Sequence, residues 1–361
     1  MIPSLGIGGT EKVLLQICQG LDRALFQPFV CALKSGGPTA EALSKISVPV
    51  QVFGSAPGFW KGALDSARLC IQLKKTILET APDIVHTWLS RANVLGRLAA
   101  KSADVSTVIS SLRVMEKEKN YHLWAERLTH PWCKIVTVNS TPLRTFAIKD
   151  IGIPEKKIVL IYNGIEIPPF TQKMLPTKPD GTYLIGSLGR LHAQKGMDLL
   201  LHAAKIVLKK FPRCRFLIGG EGPEKENLEA LARTLEIQSH VTFPGLIKDS
   251  KDFLSQLDLF VLASRWEGMP NVILEAMSLQ KPVVSTRVGG AIDLIDDGQD
   301  GMLVPPEEPD ACAKAILALL DDSNLRRRIS EAAFEKVKQK FALGPMIRAY
   351  QSLYESILQK N

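Results

Sequence analysis

Two cations and two carboxylates in the second half of this 361-residue chain could do chemistry together. Arg190 and Lys195, five residues apart in GRLHAQKG, follow a predicted strand and precede a predicted helix. A guanidinium fork and a point charge at a strand end can clamp two phosphates. The alternative is a pair of solvated surface cations, the usual state of both residue types. Further on, SRWEGMPNVILE (264–275) puts Glu267 at a strand end and Glu275 one turn into the next helix. Asn271 can cap that helix, and the N–H groups at its start form an anion site suited to a diphosphate. A sugar presents hydroxyl donors, so a carboxylate at each place could hold one sugar ring and one ribose. The alternatives are a favourable first-turn carboxylate at Glu275 and a loop-tip charge at Glu267. As acid and nucleophile of a hydrolase the two glutamates fit poorly, because a helical gap of eight residues spans on the order of 12 Å against the ~5 Å of a retaining pair.

Glycines cluster at other strand ends. Gly6, Gly8 and Gly9 precede a helix starting near Thr10; Gly219, Gly220 and Gly222 follow a strand at 214–218; Gly245 and Leu246 follow HVTFP. Glycine lets a backbone approach a ligand closely, and the 245–246 segment could come near a nucleotide base. Neither of the first two clusters spells GxGxxG, and no ribose-binding acid lies at the matching distance, which weakens a nicotinamide-cofactor reading.

The elements that must position these residues alternate between strand and helix, the pattern of parallel sheets with crossover helices. In the first half, strands are predicted at 29–35, 48–54, 82–88, 106–112 and 133–140, with helices at 62–80 and 90–102. In the second, strands are predicted at 182–189, 214–220, 240–245, 257–264, 281–290 and 301–306, with helices at about 196–210, 223–235, 271–279 and 309–319. Residues 166–181 hold four prolines and no periodicity, which reads as a linker. Two doubly wound α/β domains are therefore expected, 1–165 and 182–340, with ligands in a cleft beyond the carboxyl ends of the strands. At 341–361, Phe341, Met346, Tyr350, Leu353, Tyr354 and Ile357 recur at helical spacing.

Composition narrows the class. Hydrophobic residues make up 45% and charged residues 23%, the balance of a folded globular protein. There is neither an apolar run of ~18 residues nor a signal-peptide pattern at the start. Six scattered cysteines form no CxxC pair, so reduced thiols and a cytoplasmic location are expected rather than disulfides or a zinc site. The net charge of +8 is uneven: residues 1–165 carry 20 Lys/Arg against 12 Asp/Glu, and residues 166–361 carry 25 of each. The basic half could face an anionic membrane or a phosphorylated acceptor, with ordinary solvation as the alternative.

The ordered set GGTEKVL (8–14), VNSTPLR (138–144), YNGIE (162–166), GSLGRLHAQKG (186–196), GGEGPEKENLEALA (219–232), VTFPGLIKD (241–249) and EGMPNVILEAMSLQKPVVSTRVGG (267–290) resembles family 4 of the retaining glycosyltransferases, group 1, especially bacterial enzymes that build cell-surface glycans. The resemblance covers nearly the whole chain and implies a GT-B fold: two Rossmann-like domains facing a central cleft. It implies an N-terminal acceptor-side domain, a C-terminal nucleotide-sugar domain and a last helix at 341–361 that crosses back to the N-terminal domain. Arg190 and Lys195 match the pair that holds the donor diphosphate, Glu267 the glutamate that contacts the donor sugar, and Glu275 the one that binds the ribose. Gly268, Met269, Pro270, Asn271 and Val272 match the segment whose backbone contacts sugar and phosphate. Gly8 and Gly9 match the loop that closes over the donor. The implied reaction moves a hexose-type sugar, UDP-linked in most relatives, to a saccharide or lipid-linked saccharide. It uses no metal or other cofactor and no nucleic acid, at the cytoplasmic side of a membrane.

Two departures bear on this. IPSL at the start has almost nothing before it, so the first strand is expected to be short or its start misplaced. Many relatives carry a histidine after the fourth N-terminal strand, where this chain has ISSLR (109–113). Arg113 either substitutes for it or is a surface cation, and His86 in VHTW reads as a satisfied near-core histidine. A silent sugar-nucleotide-binding subunit, an epimerase and a phosphorylase remain the rival readings.

Overall fold

The computed structural model describes residues 1–54, 63–115, 120–168 and 182–359. It divides into two compact units, Met1–Gly164 with Leu343–Asn361, and Ile165–Ala342. The linker expected at 166–181 lies, from 169 onward, outside the described residues.

In the first unit, strands β1 (Ile2–Ser4), β2 (Val30–Ser35) and β3 (Val50–Val52) form one parallel ladder in the order β1-β2-β3. Strands β4 (Val85–Trp88), β5 (Val108–Leu112), β6 (Ile135–Val138) and β7 (Ile158–Leu160) form another, also in sequence order. Met1 joins the two: its amino group donates to the His86 carbonyl at 2.6 Å, and its carbonyl accepts from the Trp88 N–H at 2.9 Å. The order across the whole is then β3-β2-β1-β4-β5-β6-β7, that of a doubly wound sheet. The first strand is short, at three residues, and still pairs in parallel with β2.

The second unit holds one six-stranded parallel sheet. Its strands are β8 (Leu184–Leu188), β9 (Arg215–Gly219), β10 (Val241–Thr242), β11 (Leu259–Leu262), β12 (Val283–Thr286) and β13 (Met302–Val304), in the order β10-β9-β8-β11-β12-β13. β11 reads LFVL and is buried on both faces, as a central parallel strand should be. Register is fixed by Leu259 opposite Ile185 and Phe260 opposite Val283. The helices Met197–Lys210 and Pro309–Asp321 pack on each other and close one core with Leu200, Leu201, Ala204, Ile316 and Leu319. The helix Ser323–Lys340 begins at Asp322, whose carboxylate accepts from the N–H groups of Asn324 and Leu325 at 2.9 and 3.0 Å, an N-cap of the usual kind.

The sequence reading did not anticipate this last helix, nor β7. It placed the strands in the right windows but ran them two or three residues too long at most ends. The reason is that apolar residues entering a sheet look like those inside it. The expected helix at 341–361 is Leu343–Gln359, and Tyr350 and Tyr354 are buried in the core of the first unit.

Candidate active site

In the second unit the chain runs outward from β8 to β9 and β10, then returns to place β11 on the other side of β8. The loops leaving β8 and β11 at their carboxyl ends therefore turn opposite ways, which marks the switch point where doubly wound sheets take their ligands. The sequence sends Lys195 along one of these loops and Glu267 along the other. A short turn, Ala193–Lys195, ends in Gly196 at φ +58, where a Cβ would lie 2.0 Å from the Ala263 carbonyl oxygen. Only glycine lets the β8 loop press so closely on the end of β11.

That approach brings Lys195 Nζ to 2.5 Å from Glu267 Oε1, with side chains 19% and 8% exposed. Ser264 Oγ donates to the same oxygen at 2.7 Å. Oε2 of Glu267 has no partner among the described residues. The backbone of Glu267 is gripped from the other side by the loop after β12. Gly289 has φ +48 with its Cβ position 2.1 Å from the Glu267 carbonyl oxygen, and the Gly290 N–H donates to the Gly268 carbonyl at 2.5 Å. Thr286 Oγ1 donates to the Ser264 carbonyl at 2.5 Å. Glu267 is thus held at its carboxylate and on its main chain, with one oxygen left to accept from a ligand hydroxyl.

Arg265 ties the two loops together. Its N–H donates to the Gln194 carbonyl at 2.8 Å, its Nη1 to the Ala193 carbonyl at 2.7 Å, and its fork to both oxygens of Asp198 at 2.9 and 2.7 Å. Its Nε donates to Glu307 at 2.7 Å. Gln194 Nε2 donates in turn to the Trp266 carbonyl at 2.9 Å. Burial works against ionising Asp198, yet the hydrogen bonds from Arg265 hold its carboxyl below the usual range. Sequence reasoning missed Ser264, Arg265, Gln194 and Gly289. The glycine pair of TRVGG was visible, but its partner in space was not.

Arg190 stands exposed at the carboxyl end of β8 and has no side-chain partner among the described residues. Its loop is laced to the one after β9: Gly189 N–H donates to the Gly219 carbonyl at 3.0 Å, and Leu191 N–H to the Glu221 carbonyl at 2.9 Å. This packing is why glycines stand at 220 and 222. A Cβ on Gly220 would lie 1.9 Å from the Gly189 carbonyl oxygen, and one on Gly222 2.2 Å from that of Leu191. Their bareness serves the chain's own packing. Leu246 is exposed in the loop beyond β10, next to Gly245, whose carbonyl accepts from the Gly220 N–H at 2.8 Å.

The segment Gly268, Met269, Pro270 is buried and leads into the helix Asn271–Ser278. Asn271 is the first helical residue and not the cap: Pro270, at φ −76 and ψ 101, occupies the cap position and has no side-chain donor or acceptor to offer. Val272 follows it, half-buried, in the first turn. Glu275 is accordingly in the second turn, not the first, and is buried. Gly8 and Gly9 belong to the first unit, where the helix Gly9–Gly20 starts; the Glu11 carboxylate folds back over Gly8, 2.3 Å from where a Cβ would sit.

At the carboxyl end of β5 Arg113 is buried, which removes the surface-cation alternative. It donates to Asn163 Oδ1 at 2.5 Å and to the Tyr350 hydroxyl at 3.4 Å, and its guanidinium lies 5.0 Å from the Trp88 ring centre. His86 has both ring nitrogens bonded, to the hydroxyls of Tyr354 and Ser111 at 2.9 and 2.8 Å. Burial, then the nearby positive charges of the first amino group and Arg113, push its pKa well below the ordinary imidazole value. Among the described residues no cluster of three or more His, Cys, Asp or Glu could hold a metal ion, and no helix is long and apolar enough to cross a membrane.

A parallel sheet wound in this order, with the Lys195–Glu267 pair at its switch point, defines a doubly wound α/β protein. Two family models match the sequence, Glycosyltransferase Family 4 over residues 7–167 and Glycosyl transferases group 1 over residues 171–336. The chain belongs to the family 4, group 1 glycosyltransferases. Among its relatives is the Escherichia coli enzyme named UDP-Gal:alpha-D-GlcNAc-diphosphoundecaprenol alpha-1,3-galactosyltransferase, 27% identical over 96% of this chain and 94% of that one. The lipopolysaccharide core biosynthesis glycosyltransferase LpsE of Rhizobium meliloti is 27% identical over 81% and 82%. Of solved structures, Anabaena HepE in complex with UDP superposes with a TM-score of 0.80 over 98% of this chain and 99% of that one, at 24% identity. Sucrose-phosphate synthase from Thermosynechococcus elongatus superposes with a TM-score of 0.84 over 98% and 94%, at 18% identity. These likenesses are of fold, and the fold is GT-B.

Proposed function

We propose that this glycosyltransferase moves a hexose-type sugar from a UDP-sugar to a saccharide or lipid-linked saccharide in surface-glycan synthesis, with retention of configuration and without a metal. The observation that carries the reading is the fixed Glu267 carboxylate. Lys195 and Ser264 share one oxygen and leave the other for a sugar hydroxyl. Arg190, exposed at the next strand end, takes the diphosphate, helped by the N-terminus of the helix Asn271–Ser278 and the Gly268–Val272 backbone. Binding of the diphosphate also draws on Lys195, and Glu275 takes the ribose while Leu246 lies against the base. Residues 182–340 are the donor domain and residues 1–165, which carry the Gly8–Gly9 loop, the acceptor domain. As the bond from the anomeric carbon to the diphosphate breaks, Arg190 and Lys195 offset the charge of the leaving group, and the acceptor oxygen attacks from the same face. The protein's help is electrostatic and positional.

The names of the relatives support the donor and acceptor classes. The Escherichia coli relative is named for UDP-galactose and a diphosphoundecaprenol acceptor, and the HepE structure holds UDP. An acceptor of this kind supports the reading that the protein acts at the cytoplasmic face of a membrane, in peripheral contact with anionic lipid. The test is calorimetric titration of UDP, GDP and ADP into wild type and Arg190→Ala, with a chelator present. Binding of UDP alone, lost in the variant, is the expected result. No binding of any nucleotide to wild type would sink the reading.

A further inference from the structure

A surface helix ordinarily buries one stripe and turns a polar face to water. The helix Ala63–Thr80 does otherwise. Leu69, Leu73 and Ile77 are buried on one side, while Leu64, Ile71 and Leu78, exposed by 87%, 69% and 58%, line the opposite side. Their seven-residue spacing is two turns, so they stand in a single row about 10 Å apart. At 100° per residue, Arg68 and Lys75 flank the row on one side and Lys74 on the other. Of the helix's two acids, Asp65 turns to Arg91 at 3.8 Å, while Glu79 lies 3.7 Å from Lys75 as an exposed i,i+4 pair that water screens.

A second helix, Asn120–Thr129, shows the same departure. Trp124 and Leu128, one turn apart, are 64% and 57% exposed, with Arg127 beside them. Both helices pack against the helix Ser90–Ser102 and so lie in one layer of the first unit. These three helices carry seven Lys/Arg against three Asp/Glu.

We propose that this layer docks on an anionic lipid bilayer. Leu64, Ile71 and Leu78 enter the boundary between headgroups and acyl chains, and Arg68, Lys74 and Lys75 lie at the level of the phosphates. This rests on the transferase reading and deepens it by naming the surface that meets the lipid carrying the acceptor. The chemistry favours lipid over a second copy of the chain. A two-fold contact through this face would set the same three cations against their own copies, whereas anionic headgroups neutralise them. An exposed indole and long cationic stems beside an aliphatic row suit a water–lipid boundary, where rings sit at headgroup level and Lys and Arg reach out to phosphate.

The experiment is co-sedimentation of the full chain with vesicles of phosphatidylcholine, with and without about a third phosphatidylglycerol. Wild type, Ile71→Glu, Leu78→Glu and the double variant Lys74→Glu/Lys75→Glu are compared, with UDP binding and thermal melting measured on each. Wild type is expected to sediment with the anionic vesicles and to be released by about 0.5 M salt. Each variant is expected to partition at least about tenfold more weakly, with UDP binding and melting unchanged. Because the lysine pair is exposed, its variant carries no folding risk. Variants that partition like wild type, or wild type that ignores anionic vesicles, overturn the proposal. So does self-association of wild type that Ile71→Glu abolishes without altering vesicle binding. Vesicle binding that responds as described in a chain that binds no nucleotide would leave the surface standing and the transferase reading fallen.

Discussion

Replacing Arg265 tests how the second unit keeps the Lys195 and Glu267 loops in register. The side chain reaches the Ala193 carbonyl, both oxygens of Asp198 and the carboxylate of Glu307, and so holds the turn that carries Lys195 from both ends. Arg265 itself is 22% exposed, but the Asp198 and Glu307 side chains are 39% and 56% exposed, so water screens both ion pairs. Allowing about 1 kcal/mol for the Asp198 fork and about 0.5 for Glu307, and about 1 for the bond to the Ala193 carbonyl, Arg265→Ala should destabilise the second unit by about 2–3 kcal/mol. Arg265→Lys cannot fork and should fall between. The larger effect is on function. Freed of this tie, Lys195 and Glu267 can drift by about 1 Å, which costs on the order of 100-fold in kcat/KM when reacting groups are misplaced. Urea denaturation gives the first quantity and transfer kinetics at saturating acceptor the second. If Arg265→Ala unfolds like wild type within about 0.5 kcal/mol, or is destabilised yet transfers sugar at the wild-type kcat/KM, the reasoning is wrong.

Three further outcomes are expected. Gly289→Ala forces a left-handed alanine, about 1–2 kcal/mol, and its methyl against the Glu267 carbonyl should weaken UDP-sugar binding in calorimetry more than it lowers the melting temperature. His86 is held below its ordinary value of 6.5 by burial, so the unfolded chain takes up a proton that the native one refuses. Stability should therefore be full above that value and fall as pH drops below it, by up to about 1.4 kcal/mol per unit; an unfolding free energy that stays flat from about pH 7.5 to 5.5 counts against the buried, neutral imidazole. Burial also raises the thiols of Cys18 and Cys214 to about 11 and that of Cys312 to about 12. At about pH 8 these three should resist a thiol reagent until the chain is denatured, and rapid native labelling by mass spectrometry would contradict their burial.

What the sequence could and could not show follows from the range of each signal. Strands such as LFVL at 259–262 announce themselves because both faces are buried, and each predicted strand of the second half overlaps an observed one. The helix Ser323–Lys340 escapes the sequence because its buried face mixes Ile329, Ala333, Phe334 and Val337 with Arg326 and Ser330, so the apolar stripe is broken by polar residues. Strand β7 is three half-buried residues that merge into the YNG turn. At the site, residue types at strand ends were legible, since carboxyl ends of parallel strands collect polar residues. Their pairing was not. Lys195 was read beside Arg190, its neighbour in sequence, whereas the register of β8 on β11 takes it to Glu267, 72 residues away. The same holds for Arg265 and Asp198, and for Gly289 against Glu267.

The second unit interrupts the first: the chain leaves after Gly164 and comes back at Leu343. Its two ends, Ile165 and Ala342, are bridged side by side, and the Ile165 N–H donates to the Phe341 carbonyl at 2.9 Å. Topologically this is a guest domain in a host, with adjacent entry and exit points of the sort that tolerate cutting and rejoining. A stop at Gly164 would not yield the host alone. It would strip the hydroxyls of Tyr350 and Tyr354 from Arg113 and His86, opening the host's core. The host becomes whole only when the ribosome has finished the guest, so during synthesis the second unit is expected to fold before the first can close.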